Sequence, residues 1–454
     1  MKTSGFDSSS LEAEMSHRSR KTNRTDADHG PNGRLRGVAF GVLAVALTVP
    51  SVSQAQLDIC GCAGAPSLGA FDSSEPTSYP PGTTFGSTNL TIPLPDDGIL
   101  IFDSFRVSTS EFGGYVNIRF EPNAANTPVT LLVKGDVTIA SISSLNLDGE
   151  AGTAGSSGAA GIGGLGGPGG FRGGDGAFQL VNAASDGGEG FGPGGGAAGT
   201  ALPLAAGLDG SFYGALELQP PVGGSGGGGG ASSDADATCS GGGGGGGGGG
   251  LLVAANGTIT VDGALYAQGG SGGSVPYSSI CSSRGGSGSG GAIRLMADAI
   301  GGAGYITAGA IRMESLTNTF PANNTVPAAS RVLAPGPVAN PLTPTVAFTA
   351  VNGETQSVAN GALLSQQPQG VFGIVDVILA APGVTIFDLA TSGVPAGTTV
   401  EVTAKPRVGG AAAVTSTTLV PASCNGAGDC VAAVALDLDA GAYVVEALAT
   451  FATP

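Results

Sequence analysis

The sequence predicts an all-β protein: a glycine-rich parallel β-helix or solenoid followed by a C-terminal immunoglobulin-like β-sandwich. Three observations lead there. A short apolar phrase recurs, Leu131-Leu-Val-Lys-Gly-Asp-Val-Thr-Ile139 against Leu251-Leu-Val-Ala-Ala-Asn-Gly-Thr-Ile259, with a looser version at Ile293-Arg-Leu-Met-Ala-Asp-Ala-Ile300. No segment keeps apolar residues at helical spacing long enough for a helix. Most of the 84 glycines among the 454 residues lie between these phrases. They lack the strict Gly-X-Y period of collagen.

The chain opens on a targeting segment, residues 1–55. A polar, arginine-containing region ends at Arg34-Leu-Arg36 and is followed by the apolar run Gly37–Pro50 and the small-x-small site Ser53-Gln-Ala55. The apolar run is short for a bilayer span, and no later stretch reaches about 18 apolar residues, so the mature chain is expected to carry no membrane span. Leu57-Asp-Ile-Cys60 lacks the small residues of a lipoprotein cleavage box. The expected location is therefore extracellular or on a bacterial cell surface.

Loss of this segment removes both histidines, His17 and His29. The formal charge of the whole chain is −17, and the remainder is more acidic still. Such a surface repels phosphate backbones, which bind through Lys and Arg, so nucleic acid is excluded as a partner. Without histidine, the Ser-His-Asp and Cys-His arrangements cannot be built, and the usual zinc ligand is missing. No catalytic residue and no cofactor is assigned, and the chain is read as a non-enzyme.

Residues 56–85 form a Gly/Ser/Pro leader (Ser78-Tyr-Pro-Pro-Gly82). Residues 86–320 are the solenoid. Ile99–Phe102, Phe105–Val107, Val116–Phe120, Val129–Val133, Val137–Ile139 and Leu145–Leu147 are brief strand-like runs parted by turn residues. Two or three such strands per repeat suit one coil, which stacking would cover. The glycine tracts 152–176, 187–199 and 223–250 interrupt the repeats. They suit packed extended chains of polyproline II type, or loops hung from the coils. Ile162, Leu165, Phe171, Phe178 and Phe191 read as anchors within them.

Asn123-Ala-Ala-Asn-Thr-Pro-Val-Thr-Leu-Leu-Val133 with Gly135-Asp-Val-Thr-Ile139, then Gly166-Gly-Pro-Gly-Gly-Phe171, Gly223-Gly-Ser-Gly-Gly-Gly228 and Gly290-Gly-Ala-Ile-Arg-Leu295 resemble uncharacterised secreted glycine-rich bacterial proteins with β-helix-like repeats. The resemblance covers about residues 90–315 and implies export and a solenoid-like β fold. That group has no established activity to carry over.

Residues 321–342 form a Pro-rich linker, and 343–454 hold about seven runs of strand character, hence the sandwich expectation. Cysteine spacing pairs Cys424 with Cys430 and Cys239 with Cys281, leaving Cys60 and Cys62 too close for an easy bridge. Asp175, Asp186 and Glu189 lie among glycines and are weak calcium candidates; Gly173-Gly-Asp-Gly does not fit the calcium-binding nonapeptide. Arg294 and Arg312 read as outward-facing solubilising residues. Tyr213, Tyr266, Tyr277 and Tyr305 read as loop anchors or, less simply, as sugar platforms. The expected function is an exported structural or cell-surface element (stalk, coat or spacer). The alternative is a glycan-binding adhesin or, less readily, a β-helix carbohydrate-active enzyme. The candidate partner is a cell-envelope or extracellular polysaccharide.

Overall fold

The computed structural model describes residues 58–451 except 109–113, 124–125, 179–183, 215–216, 234–238, 276–281, 339–344, 356–358, 362–368, 393, 407–411 and 426–428. Residues 1–55, expected to be a targeting segment, and Tyr277 and Cys281 lie outside the described residues. About 41 % of the chain is strand and almost none is helix. No described helix is long and apolar enough to cross a membrane.

The first part comprises β1 (Ala70–Asp72), β2 (Thr84–Phe85), β3 (Asn89–Pro93), β4 (Ile99–Phe102), β5 (Ser104–Val107), β6 (Val116–Glu121), β7 (Val129–Val133), β8 (Val137–Ile139), β9 (Ser143–Asn146), β10 (Leu251–Ala255), β11 (Thr258–Val261), β12 (Ala264–Ala267), β13 (Ala292–Gly301), β14 (Tyr305–Ala308), β15 (Ala310–Asn318), β16 (Thr325–Val326) and β17 (Ser330–Val332). Ten of these make one sheet, in which β1-β5-β8-β11-β13-β10-β7-β4 run in order and β15 and β17 extend from β13. Every pairing in it is parallel. The other seven form a mixed sheet, β16-β14-β12-β9-β6-β3-β2, whose one antiparallel pair is β2 with β3.

The core lies between these sheets because one face of each strand is apolar. Across the ten-stranded sheet, Leu100, Leu131, Val253, Leu295 and Met313 stand in register. Phe71, Phe105, Val137, Ile259 and Ile300 form a second ladder. Leu90, Ile118, Leu145, Leu265 and Ile306 answer them from the mixed sheet. All are buried in one cluster. Each such side chain contributes about 1.5–3 kcal/mol on leaving water. Phe71 and Phe105 stack at 4.6 Å, closing one end.

The expected β-helix with an immunoglobulin-like sandwich is corrected by this topology. The recurring phrases predict equivalent coils, but the third phrase is one continuous ten-residue strand, β13. Its first half pairs with β10 and its second with β11. Two strand rows therefore fuse into a single, nearly barrel-like parallel sheet. Such parallel pairing is otherwise typical of α/β folds with crossover helices. Here glycine-rich chain occupies the crossovers. The register also differs from the sequence alignment by two residues, since Leu131 faces Val253 rather than Leu251. Side-chain period in a strand is two, so this shift keeps Leu131, Val133, Leu251 and Val253 on the core side.

The glycine tracts form an ordered bundle. Gly241, Gly244 and Gly247 donate their N–H groups to Ala177, Gly174 and Phe171; Gly242, Gly245 and Gly248 donate to Ser283, Gly286 and Ser289; Gly243, Gly246 and Gly249 donate to Thr153, Glu150 and Leu147, all at 2.7–3.0 Å. Their carbonyls accept from three further chains: Gly161, Gly164 and Gly167; Gly230, Gly227 and Gly224; and, for Gly243 and Gly246, Gly273 and Gly270. One glycine chain is thus bonded to six neighbours with a three-residue period, the periodicity of polyproline II. A methyl group on Gly244 would fall on the carbonyl oxygen of Gly227, so only glycine fits. Phe171 and Phe191 are buried, whereas Ile162, Leu165 and Phe178 are exposed, so only the former two act as anchors.

The C-terminal part comprises β18 (Thr345–Val351), β19 (Glu354–Thr355), β20 (Ala359–Gly361), β21 (Gln369–Leu379), β22 (Gly383–Ser392), β23 (Thr399–Pro406), β24 (Ala413–Thr418), β25 (Cys430–Leu438) and β26 (Gly441–Phe451). Two antiparallel sheets, β19-β18-β22-β25 and β20-β21-β26-β23-β24, face each other over Phe348, Phe387, Val402 and Val445. The chain crosses between the two sheets at five of the eight steps from β18 to β26. The first long strand, β18, pairs with β22 rather than with its successor β21, unlike the first sheet of an immunoglobulin domain. Short strands with turn signals predict two sheets but not which strands share one.

Candidate functional site

The outward face of the mixed sheet carries polar and aromatic residues in two parallel rows. One row is Asn89, Asn117, Ser144, Ala264 and Tyr305, and a second places Asn146, Tyr266 and Thr307 in register. Strand alternation puts them there, because their neighbours Leu90, Ile118, Leu145, Leu265 and Ile306 point into the core. Tyr115, just before β6, joins this face: its Oη lies 2.6 Å from Ser144 Oγ. Ser144 Oγ donates to Asn117 Oδ1 at 2.7 Å, and Asn117 Nδ2 donates to Asn89 Oδ1 at 2.9 Å. Gln268 Nε2 donates to Thr307 Oγ1 at 2.8 Å.

Tyr115, Tyr266 and Tyr305 line a shallow depression of about 450 Å³ together with Ile142, Asp262 and Asn324. Tyr115 and Tyr305 are 44 % and 40 % exposed, while Tyr266 is half-buried. Burial first, then the neighbouring Tyr115, Asp148 and Tyr305, raises the Tyr266 hydroxyl above its ordinary pKa. It therefore remains a neutral hydroxyl at physiological pH. Burial likewise raises Asp148, against the lowering effects of the Gln268 N–H, Arg119 and Asn146. At the rim, Ile142 is 58 % exposed yet held at φ 61°, a conformation costly for a β-branched residue.

The other expected site residues are used differently. Asp175 accepts from Arg172 Nη2 at 2.7 Å and from the Gly163 N–H at 2.8 Å. Asp186 accepts from the Ala201 N–H at 2.6 Å, and Glu189 is exposed. Among the described residues, the three do not converge on one point. The grouping there with metal-ligand spacing is Asp58, Cys60 and Cys62, but these two cysteines form a disulfide, which removes both thiolates. Sequence spacing argued against that bridge; a tight turn held by Asp58, which accepts from Asn256 Nδ2 at 3.0 Å and the Cys62 N–H at 3.1 Å, brings it about. Cys424 and Cys430 are bridged, and Cys239 is disulfide-bonded.

Arg294 and Arg312 are not solubilising groups. Arg294 is 2 % exposed and donates to Glu314 Oε1 at 2.9 Å, and Arg312 donates to the same oxygen at 2.6 Å. Pro337 O caps Arg294 Nη2 at 3.1 Å. The face that sequence alternation points outward is covered by chain returning at residues 335–338. Beside it, a groove of about 650 Å³ runs between Ile59, Leu132, Leu252 and Val338.

Tyr213 packs with Phe171, Phe191 and Phe212 against Leu448 of β26, and Gly192 N–H donates to Glu446 Oε1 at 3.1 Å. It is a joint between the glycine bundle and the C-terminal sheets. Of the tyrosines singled out in the sequence, Tyr266 and Tyr305 thus meet on one face. Tyr115 was missed because it lies outside the recurring phrases, just before β6. Comparisons with protein-family models, with curated proteins and with solved structures find no match, so the resemblance to secreted glycine-rich proteins stands on its quoted motifs alone.

Proposed function

We propose that this chain is an exported, non-enzymatic structural or cell-surface element, a stalk, coat or spacer. The observation that carries this reading is the glycine bundle, a close-packed body in which one chain is bonded on all sides by six others. Such a body has no side chains with which to do chemistry, and its dense backbone bonding resists local opening. The carboxylates nearest to it serve its own arginine and amide groups. The tyrosine face favours a second reading, in which the element also holds glycan.

The test is fractionation of producing cells, with purified chain incubated in parallel on insoluble plant and bacterial polysaccharides. The chain is expected in the surface or extracellular fraction, with no soluble sugar released. Catalytic release of sugar, or retention of the chain in the cytoplasm, would overturn the proposal.

A further inference from the structure

We infer that the face formed by Tyr115, Tyr266 and Tyr305 is a binding site for a neutral polysaccharide. This goes beyond a structural role by giving the element a ligand. The argument has three parts.

A sugar ring presents an apolar C–H face and an equatorial rim of hydroxyls. Tyrosine suits both, because its ring is apolar and its hydroxyl tip is wet. Three such rings line one depression, two of them exposed. Exposed Ile142 adds apolar surface at the rim, and its φ of 61° is a local cost that packing inside the protein does not explain, since the side chain is outside.

The polar groups that line the depression are the three tyrosine hydroxyls, Asp262 and Asn324, while Asn117, Ser144 and Thr307 lie buried beneath them. Asn117, Ser144 and Tyr115 are already linked in a chain of hydrogen bonds that fixes their orientation. Fixed, convergent polar groups beside apolar surface are the ordinary composition of a ligand site.

Charge selects among glycans. Asp148 and Asp262 stand at this face, Arg119 is near Asp148, and the whole chain is strongly acidic. A polyuronate or sulfated glycan would be repelled.

The chain has seven tyrosines and no tryptophan, so its intrinsic emission reports on tyrosine alone. Titration of the full chain with neutral hexose oligomers of β-glucan and mannan type is expected to change that emission saturably. Polygalacturonate is expected not to. Y266A and Y305A should each weaken binding about tenfold, whereas Y266F, which keeps the ring, should retain most of it. Leu333→Ala, at a remote exposed position, should bind as the parent does. If no neutral oligomer binds, if polygalacturonate binds more tightly, or if the Y266A/Y305A double variant with parental melting behaviour binds unchanged, the inference is wrong. Release of sugar is read in the separate assay above, so the two proposals fail independently.

Discussion

Glu314 sits between two guanidinium groups under the returning proline segment, 1 % exposed. Burial alone would raise its carboxyl pKa. The hydrogen bonds from Arg294, Arg312 and the Gly336 N–H outweigh burial and hold it below the ordinary value of 4.5. Its contribution to stability is therefore complete above that value and is lost as pH falls through the depressed folded pKa. Glu314→Gln leaves the buried Arg294 and the partly buried Arg312 without this counter-charge, and removal of one partner of a buried pair costs about 3–5 kcal/mol. Denaturant unfolding at neutral pH should show that loss, and the gap between variant and parent should narrow as the pH is taken below 4.5. A gap independent of pH would rule out the ion pairs as its source. The sequence placed Arg294 and Arg312 on the outer side of their strands. What it did not reveal was that later chain folds back over that side, because the cover comes from Pro335–Val338, with no periodicity of its own.

Among elements, strands were legible, and the bundle was legible only as one of two alternatives, packed extended chains or hung loops, of which the first occurs. Alternation in Val116–Phe120 and Val137–Ile139 predicts inward and outward faces, and those faces occur in the sheets. Register was legible only to within an even number of residues. Val129, Leu131 and Val133 offer apolar groups at every second place, and any even shift satisfies the same core. A glycine tract has no pattern to read, and its six-neighbour packing is decided by backbone bonds alone. Gly244→Ala must push a neighbouring carbonyl aside, an overpacking cost of about 1–3 kcal/mol. Gly64→Ala meets open space and should fall within about 0.5 kcal/mol of the parent. Equal melting temperatures for the two variants would contradict the packing described here. Within the tyrosine face, Tyr266 and Tyr305 were visible as residues, but their meeting depends on strands about forty residues apart lying side by side in register.

At the scale of the whole molecule, the glycine bundle and the C-terminal sheets are joined at a small, partly charged contact. Glu446 is buried, accepts from the Gly192 N–H and pairs with Lys405 at 3.2 Å, while Leu448 closes on Phe171 and Tyr213. Glu446→Ala removes the acceptor and leaves both donors unmet. Calorimetry should then resolve the C-terminal sheets as a separate transition at lower temperature, with the remainder melting as before. A single transition, shifted as a whole, would show that the two parts stay coupled without this contact.

The three-residue period of the bundle also bears on how its gene can change. Ten consecutive glycines at 241–250 imply repetitive codons, and repetitive DNA gains and loses units during replication. A gain of one residue turns the following glycines by a third of a helical turn, so each N–H meets the wrong neighbour. A gain of three restores the pattern, moving the tract on by one turn. Insertions that survive in these tracts should therefore come in threes, giving natural variants a ruler that moves in steps of about 9 Å.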